Sequence, residues 1–174
     1  MLNITDAQIT RDLKPIHALL NEVIETSTAL YDYQPRPLAQ VSQWMADKLA
    51  LGLPVRVALD EQERFLGFAT FGPFRPHPAY KYTVEHSIYV DSAARGQGIG
   101  SAMLEDIVQC AIDRNLHLIV GAIDADNTAS IALHRRHGFI QAGVIEQAGF
   151  KFGRWLDLAL LHKRLPTPED PQDG

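Results

Sequence analysis

The segment Arg95-Gly96-Gln97-Gly98-Ile99-Gly100-Ser101 follows the apolar run Ser87-Ile88-Tyr89-Val90 and precedes a run of helical character from Ala102 to Arg114. A glycine-rich turn from strand to helix constrains the fold strongly. It ties a sheet to a packed helix and leaves the first N–H groups of that helix facing outward. Gly96, Gly98 and Gly100 carry no Cβ, so the backbone can approach an anion closely, and Arg95 adds a fixed positive charge. The stretch predicts a phosphate cradle, and its spacing narrows the ligand. A P-loop needs Lys-Ser or Lys-Thr after its last glycine, whereas Ser101-Ala102 follow Gly100, which argues against a nucleoside triphosphate. A dinucleotide loop needs Gly-x-Gly-x-x-Gly after the first strand. Here the third glycine is missing from either starting point, and the turn lies past the chain's midpoint.

Composition frames the rest. With 174 residues, 46% of them hydrophobic, the chain can bury one sizeable core, so a single α/β domain over residues 1–165 is expected. The net charge is −5, and Glu169, Asp170 and Asp173 near the C-terminus supply three of those charges, leaving the body near −2. Such a balance argues against a nucleic-acid partner. Cys110 is the only cysteine, so no intrachain disulfide forms. No run of about 18 apolar residues suggests a membrane span. Asp6, Arg11 and Asp12 interrupt any signal-like segment, and a cytoplasmic protein is expected.

Strands and helices alternate along the chain. Leu2 to Ala7 reads as a first strand. Ile16, Leu19, Leu20, Val23 and Ile24 recur at helical spacing behind Asp12 as a cap, to about Glu25. A second helix runs from Leu38 to Leu51 and is stopped by Gly52; a hairpin follows over Val55 to Leu59 and Phe65 to Gly72. Tyr82 to Val90 is a strand whose period of two puts Val84, His86, Ile88 and Val90 on one face and Thr83, Glu85, Ser87 and Tyr89 on the other. After the glycine loop and its helix come a strand over Leu116 to Ile123 and a helix over Thr128 to His137 closed by Gly138. Strands over Ile140 to Gln147 and Trp155 to Lys163 complete the order. The segment 166–174, with three prolines and no apolar anchor, is expected to be disordered.

Arg95, Gly98 and Gly100 fit the pattern Arg/Gln-x-x-Gly-x-Gly/Ala, and Asn127-Thr128-Ala129-Ser130-Ile131-Ala132-Leu133-His134 leads into Gly138-Phe139. Together these motifs resemble the GNAT superfamily of acetyl-CoA-dependent N-acetyltransferases, with Ser130 where Ala is usual and His134 where Tyr is usual. Thr83 to Val90, Ser130 to His134, Phe150 to Leu158 and Glu25 to Ala29 further resemble the phosphinothricin and methionine sulfoximine/methionine sulfone acetyltransferases within it. The resemblance implies the GNAT fold, a mixed central sheet flanked by helices.

It also implies acetyl-CoA as co-substrate. Backbone groups of Ile88, Tyr89 and Val90 would pair with the pantetheine arm, residues Arg95, Gly96, Gln97, Gly98, Ile99, Gly100 and Ser101 would hold the pyrophosphate, and Asn127 would bind pantetheine. Glu85 becomes the candidate general base, directly or through water. His134 would orient substrate, assist deprotonation or protonate the departing thiolate. Arg75, Pro76 and His77 match the family's substrate loop, with His77 where Arg is frequent, and Glu85, His86 and Ser87 complete the expected acceptor contacts. The implied reaction is direct transfer to the α-amino group of a small amino acid in a ternary complex. Cys110, mid-helix beside Val108 and Ala111, reads as a packing residue. His134 and His137 stand three apart on a helix but lack a third ligand nearby, so no metal is expected. The Lys151 to Trp155 segment would contact substrate or a second copy, since the family forms homodimers. The competing readings are a GNAT acting on a protein N-terminus or a polyamine, and a silent acyl-CoA sensor.

Overall fold

The computed structural model describes residues 2–173. Strand β1 (Asn3–Asp6) leads into helix α1 (Ile9–Thr26), followed by α2 (Leu38–Ala50) and strands β2 (Val55–Leu59), β3 (Phe65–Pro73) and β4 (Thr83–Val90). Helix α3 (Ile99–Asp113), strand β5 (Leu118–Asp124), helix α4 (Thr128–Arg136) and the hairpin β6 (Ile140–Lys151) and β7 (Arg154–Arg164) complete the chain. The strands form one seven-stranded sheet in the order β1-β2-β3-β4-β5-β7-β6, and only β4 and β5 run parallel. This is the mixed α/β sandwich expected from the alternation of periods.

Each face of the sheet carries its own core. Ile16, Leu20 and Val23 of α1 and Val41 and Met45 of α2 pack on Val55, Val57 and Phe68. Met103, Leu104 and Ile107 of α3 pack on Phe71, Val84 and Ile119 across the sheet. Each such fully buried side chain contributes about 1.5–3 kcal/mol relative to exposure. Helix α1 starts earlier than its apolar stripe suggests. Gln8 is the N-cap residue, and Asp12 accepts the Gln8 N–H at 2.7 Å from within the first turn, its charge met by Arg11 at 2.8 Å. Asp12 therefore caps from inside the helix, as the returning half of a capping box does.

Register at the sheet's centre creates the cleft. Strands β4 and β5 pair only from Thr83 with Leu118 to His86 with Gly121. Beyond that point β4 stays on β3 as far as Val90, and β5 stays on β7 as far as Asp124. The two parallel strands part, and the β4 edge from Ser87 to Val90 is left without a neighbour. At the far end of the sheet, Phe152 and Gly153 (φ 51° and 74°) form the mirror-image turn that suits a two-residue hairpin.

Several contacts tie residues 165–172 to the body of the fold. Leu165 is buried, Thr167 Oγ1 donates to Leu116 O at 2.6 Å, and His117 Nδ1 donates to Thr167 O at 2.9 Å. Gln172 N donates to Tyr82 Oη at 3.1 Å. Leu165 supplies an apolar contact just before the proline-rich stretch, and the side chains of Thr167, His117 and Tyr82 make the bonds beyond it. Among the described residues, no helix is long and apolar enough to cross a membrane.

Candidate active site

A cleft of about 790 Å³ opens where β4 and β5 part. Ser87, Ile88, Tyr89 and Val90 form one wall, Ala122, Ile123 and Asp124 the other, and the glycine loop and Asn127 close one end. Arg95, Gly96, Gly98, Ile99, Gly100 and Ser101 all line it. Gly96 and Gly98 have φ of +76° and +82°, and a Cβ on either would meet no heavy atom within 4 Å. Their role is thus conformational, and the space above them is open. Among the described residues, the N–H groups of Ile99 and Gly100 find no acceptor, while Ser101 and Ala102 donate to Gly98 O. Free N–H groups at a helix start, bordered by an arginine, fit the charge and size of a pyrophosphate.

Gln97 lies on the exposed side of the loop, its amide donating to Ala93 O at 3.3 Å. Asn127 is the N-cap of α4, its Oδ1 accepting the Ser130 N–H at 3.1 Å, which leaves its Nδ2 donors available to a ligand. Ser101 meets a partner that its motif does not announce. Its Oγ lies 2.6 Å from His137 Nε2, and His137 Nδ1 lies 3.5 Å from Glu105 Oε1, joining the start of α3 to the end of α4.

His134 and His86 form a stacked pair behind the cleft, with ring centroids 5.1 Å apart and both rings packed edge-on against Phe139. His134 Nδ1 lies 2.7 Å from Ser130 O, and a carbonyl can only accept, so this nitrogen carries the proton. His134 Nε2 therefore accepts from His86 Nε2 at 3.2 Å, which leaves His86 Nδ1 buried without a partner. Burial and the neighbouring imidazole pull His86 down to about 3, and burial also lowers His134. Both rings are neutral near pH 7. Gly121 makes the pair possible, since a Cβ there would come within 3.1 Å of His86 Nε2.

Glu85 points to the opposite face of the sheet. It lines a smaller pocket of about 170 Å³ with Arg36, Trp44, Lys48, Gly72, Ser87 and Tyr89, under α1 and α2. Burial raises its pKa, partly offset by the positive charge of Arg75. Glu85 and His134, paired in the sequence reading as the catalytic residues, thus stand on opposite sides of β4. Ser87 and Tyr89 line both cavities.

The other expected acceptor residues divide. His86 is buried in the α4 layer and does not line the small pocket, because the pleat that points Glu85 one way points it the other. Arg75, Pro76 and His77 are exposed and line neither cavity; Arg75 stacks on Phe74 at 4.3 Å, and His77 precedes the short 3-10 turn Pro78–Tyr80. Lys151, 3% exposed, donates to the carbonyls of Ile24, Ser27 and Leu30 at 2.6–2.8 Å, which commits its ammonium to the backbone. Cys110 has its thiol pushed up by burial, as suits packing. Among the described residues, no three His, Cys, Asp or Glu side chains are grouped to hold a metal.

Several functional contacts escape the motifs. Thr28 Oγ1 donates to the buried Asp124, tying the loop after α1 to the end of β5, and Tyr33 Oη donates to Phe150 O at 2.7 Å. With Lys151, these bonds hold residues 27–33 as a roof in which Ser27 and Ala29 line the cleft and Leu30 the smaller pocket. Lys48, on α2, lies in the Glu85 pocket and donates to Phe71 O at 2.7 Å. Its only sequence signal is a lysine in the last turn of an amphipathic helix, which is usually a solvated one.

Residues 16–139 match the Acetyltransferase (GNAT) family. The chain is 40% identical over 170 residues to an L-methionine sulfoximine/L-methionine sulfone acetyltransferase of Pseudomonas aeruginosa, covering 97% of this chain and 98% of the relative. It is 37% identical over 155 residues to a phosphinothricin N-acetyltransferase of Alcaligenes faecalis, covering 88% and 78%. Its fold superposes with a TM-score of 0.91 on a phosphinothricin acetyltransferase from Sinorhizobium meliloti solved in complex with acetyl-CoA, at 35% identity over 94% of this chain and 88% of that one. A parted β4–β5 pair, a glycine loop at a helix start and these likenesses lead to one assignment: the chain belongs to the acetyltransferase (GNAT) family.

Proposed function

We propose that this enzyme transfers the acetyl group of acetyl-CoA to the α-amino group of a small amino acid resembling methionine sulfoximine, methionine sulfone or phosphinothricin, by direct transfer in a ternary complex. The observation that carries the reading is that Ser87 and Tyr89 line both a cleft fit for a phosphorylated, amide-bearing ligand and a small pocket holding Glu85. The names of the relatives supply the substrate class.

Acetyl-CoA bound in the cleft supplies an activated acyl carbonyl. Ile99, Gly100 and the neighbouring loop hold its pyrophosphate, Asn127 and the free edge of Ile88 to Val90 hold pantetheine, and a backbone N–H near Ile88 donates to the carbonyl oxygen as charge develops. An α-ammonium group cannot attack, and near pH 7 an α-amino group is mostly protonated. Glu85 takes that proton, directly or through water, and its burial brings its basicity closer to the working pH. His134 orients the reactants as a neutral imidazole. No protein nucleophile is required, in keeping with the raised thiol of Cys110. The exposed Val144, Ile145, Phe150, Phe152 and Trp155 suit the face of a homodimer, and a cytoplasmic setting suits the lone thiol.

Thiol release from acetyl-CoA tests the substrate class with phosphinothricin, methionine sulfoximine, methionine sulfone, methionine, a polyamine and an N-terminal peptide. Turnover concentrated in the first three supports the proposal. Inactivity towards all three, or preference for the polyamine or peptide, refutes it.

A further inference from the structure

Lys48 combines features that an ordinary surface lysine lacks. Its side chain is half-buried, and its ammonium uses one of three donors, on Phe71 O at 2.7 Å. It forms no ion pair among the described residues; its other close neighbour is the Trp44 ring, with the centroid at 5.9 Å. Burial with one carbonyl as partner leaves the charge poorly compensated, and its pKa falls to about 8. The second cation of the pocket, Arg36, is already engaged with Asp32 through two bonds of 3.0 Å.

The ammonium also has a defined place. It lies over Gly72, where a Cβ would come within 3.1 Å of Nζ, so a side chain at that position would displace it. Gly72 is the direct partner of Glu85 in the β3–β4 ladder. Side-chain origins directly opposed across such a ladder are about 5 Å apart. An α-amino acid carries its amine and its carboxylate on the same carbon. With the amine at Glu85, the carboxylate lies one carbon further on, on the side of Gly72.

We infer that Lys48 anchors the α-carboxylate of the acceptor, held over Gly72 across the ladder from Glu85, and so selects α-amino acids over simple amines. This rests on the proposed reaction and deepens it. Arg75, stacked on Phe74 outside the pocket lining but with its charge acting on Glu85, is left for the distal end of the acceptor.

The test compares methionine sulfone with its carboxamide as acceptors, for the wild type, Lys48→Met and Lys48→Arg, between pH 6.5 and 9.5. Unchanged acetyl-CoA affinity and melting temperature establish that the variants fold. Lys48→Met is expected to raise KM for the acid about 30-fold or more and to collapse the preference for acid over carboxamide, while Lys48→Arg restores most of both. In the wild type, KM for the acid relative to the carboxamide rises above pH about 8 as Lys48 loses its proton; with Arg at this position that rise disappears. Equal losses for acid and carboxamide, a lower kcat at unchanged KM, or no change would each overturn the inference. Should the wild type acetylate none of the amino acids, the proposed reaction fails. Calorimetric binding of methionine sulfone to the CoA-loaded protein then decides for Lys48, upheld by binding that Lys48→Met abolishes and overturned by any other result.

Discussion

His86 and His134 lie with their Nε2 atoms 3.2 Å apart, and the Ser130 carbonyl at His134 Nδ1 dictates which ring donates. The pair is a neutral donor–acceptor unit. In its resting tautomer His134 presents no free N–H to the cleft.

That neutrality has a thermodynamic consequence. A histidine held near 3 in the folded state and near 6.5 when unfolded contributes stability fully above pH about 6.5, which is lost as pH falls towards 3, because the unfolded chain takes up the proton first. Between pH 6.5 and 5 the wild type should lose about 2 kcal/mol more than His86→Leu. Urea denaturation at the two pH values measures it, and parallel losses would show that His86 is not kept neutral by the fold.

Glu85→Gln should lower kcat by about 10²- to 10⁴-fold while leaving acetyl-CoA affinity intact, since the cleft that fits acetyl-CoA is lined by other residues. The acid limb of the wild-type kcat profile should lie above the ordinary carboxylate range, because burial raises this group. Steady-state rates and calorimetry separate the two effects; an unchanged kcat would remove Glu85 from proton transfer.

Lys151→Met strips a donor from three carbonyls of the roof at once. A stability loss of about 3 kcal/mol is expected, together with faster amide exchange over residues 24–33 and a higher KM for the acceptor. Hydrogen-exchange mass spectrometry reads the local part, and protection equal to wild type would show that the roof is held by other contacts.

Gly98→Ala places a Cβ at φ +82°, in a conformation that costs an L-residue about 1–2 kcal/mol, with its methyl in otherwise open space beside the loop. CoA should bind at least about tenfold more weakly. Dephosphorylated pantetheine, which does not reach the loop, should lose far less. Titration of both ligands gives the ratio, and equal losses would disconnect the loop from phosphate.

Much of this architecture is legible locally. The period of two in β4 assigned Glu85 and His86 to opposite faces, the helical stripe of α1 marked its buried side, and the glycines at 96, 98 and 100 marked a strand-to-helix turn. The boundaries that shifted, such as the start of α1 and the length of β6, depend on the Asp12 carboxylate accepting the Gln8 N–H and on strand pairing with β7.

By itself, then, the sequence determined the order of elements, the anion-ready loop and the two faces of the central strand, because each follows from conformational preferences over a few neighbouring residues. Only the tertiary structure decided the fate of the charges and imidazoles. Lys151 reaches a carbonyl 127 residues away, His134 meets His86 across 48, and Arg75, first in the motif, stays outside the pocket that Lys48 occupies. Whether a cation is spent on backbone or left for a ligand depends on which distant atoms the packed sheet brings beside it, and no local pattern encodes that.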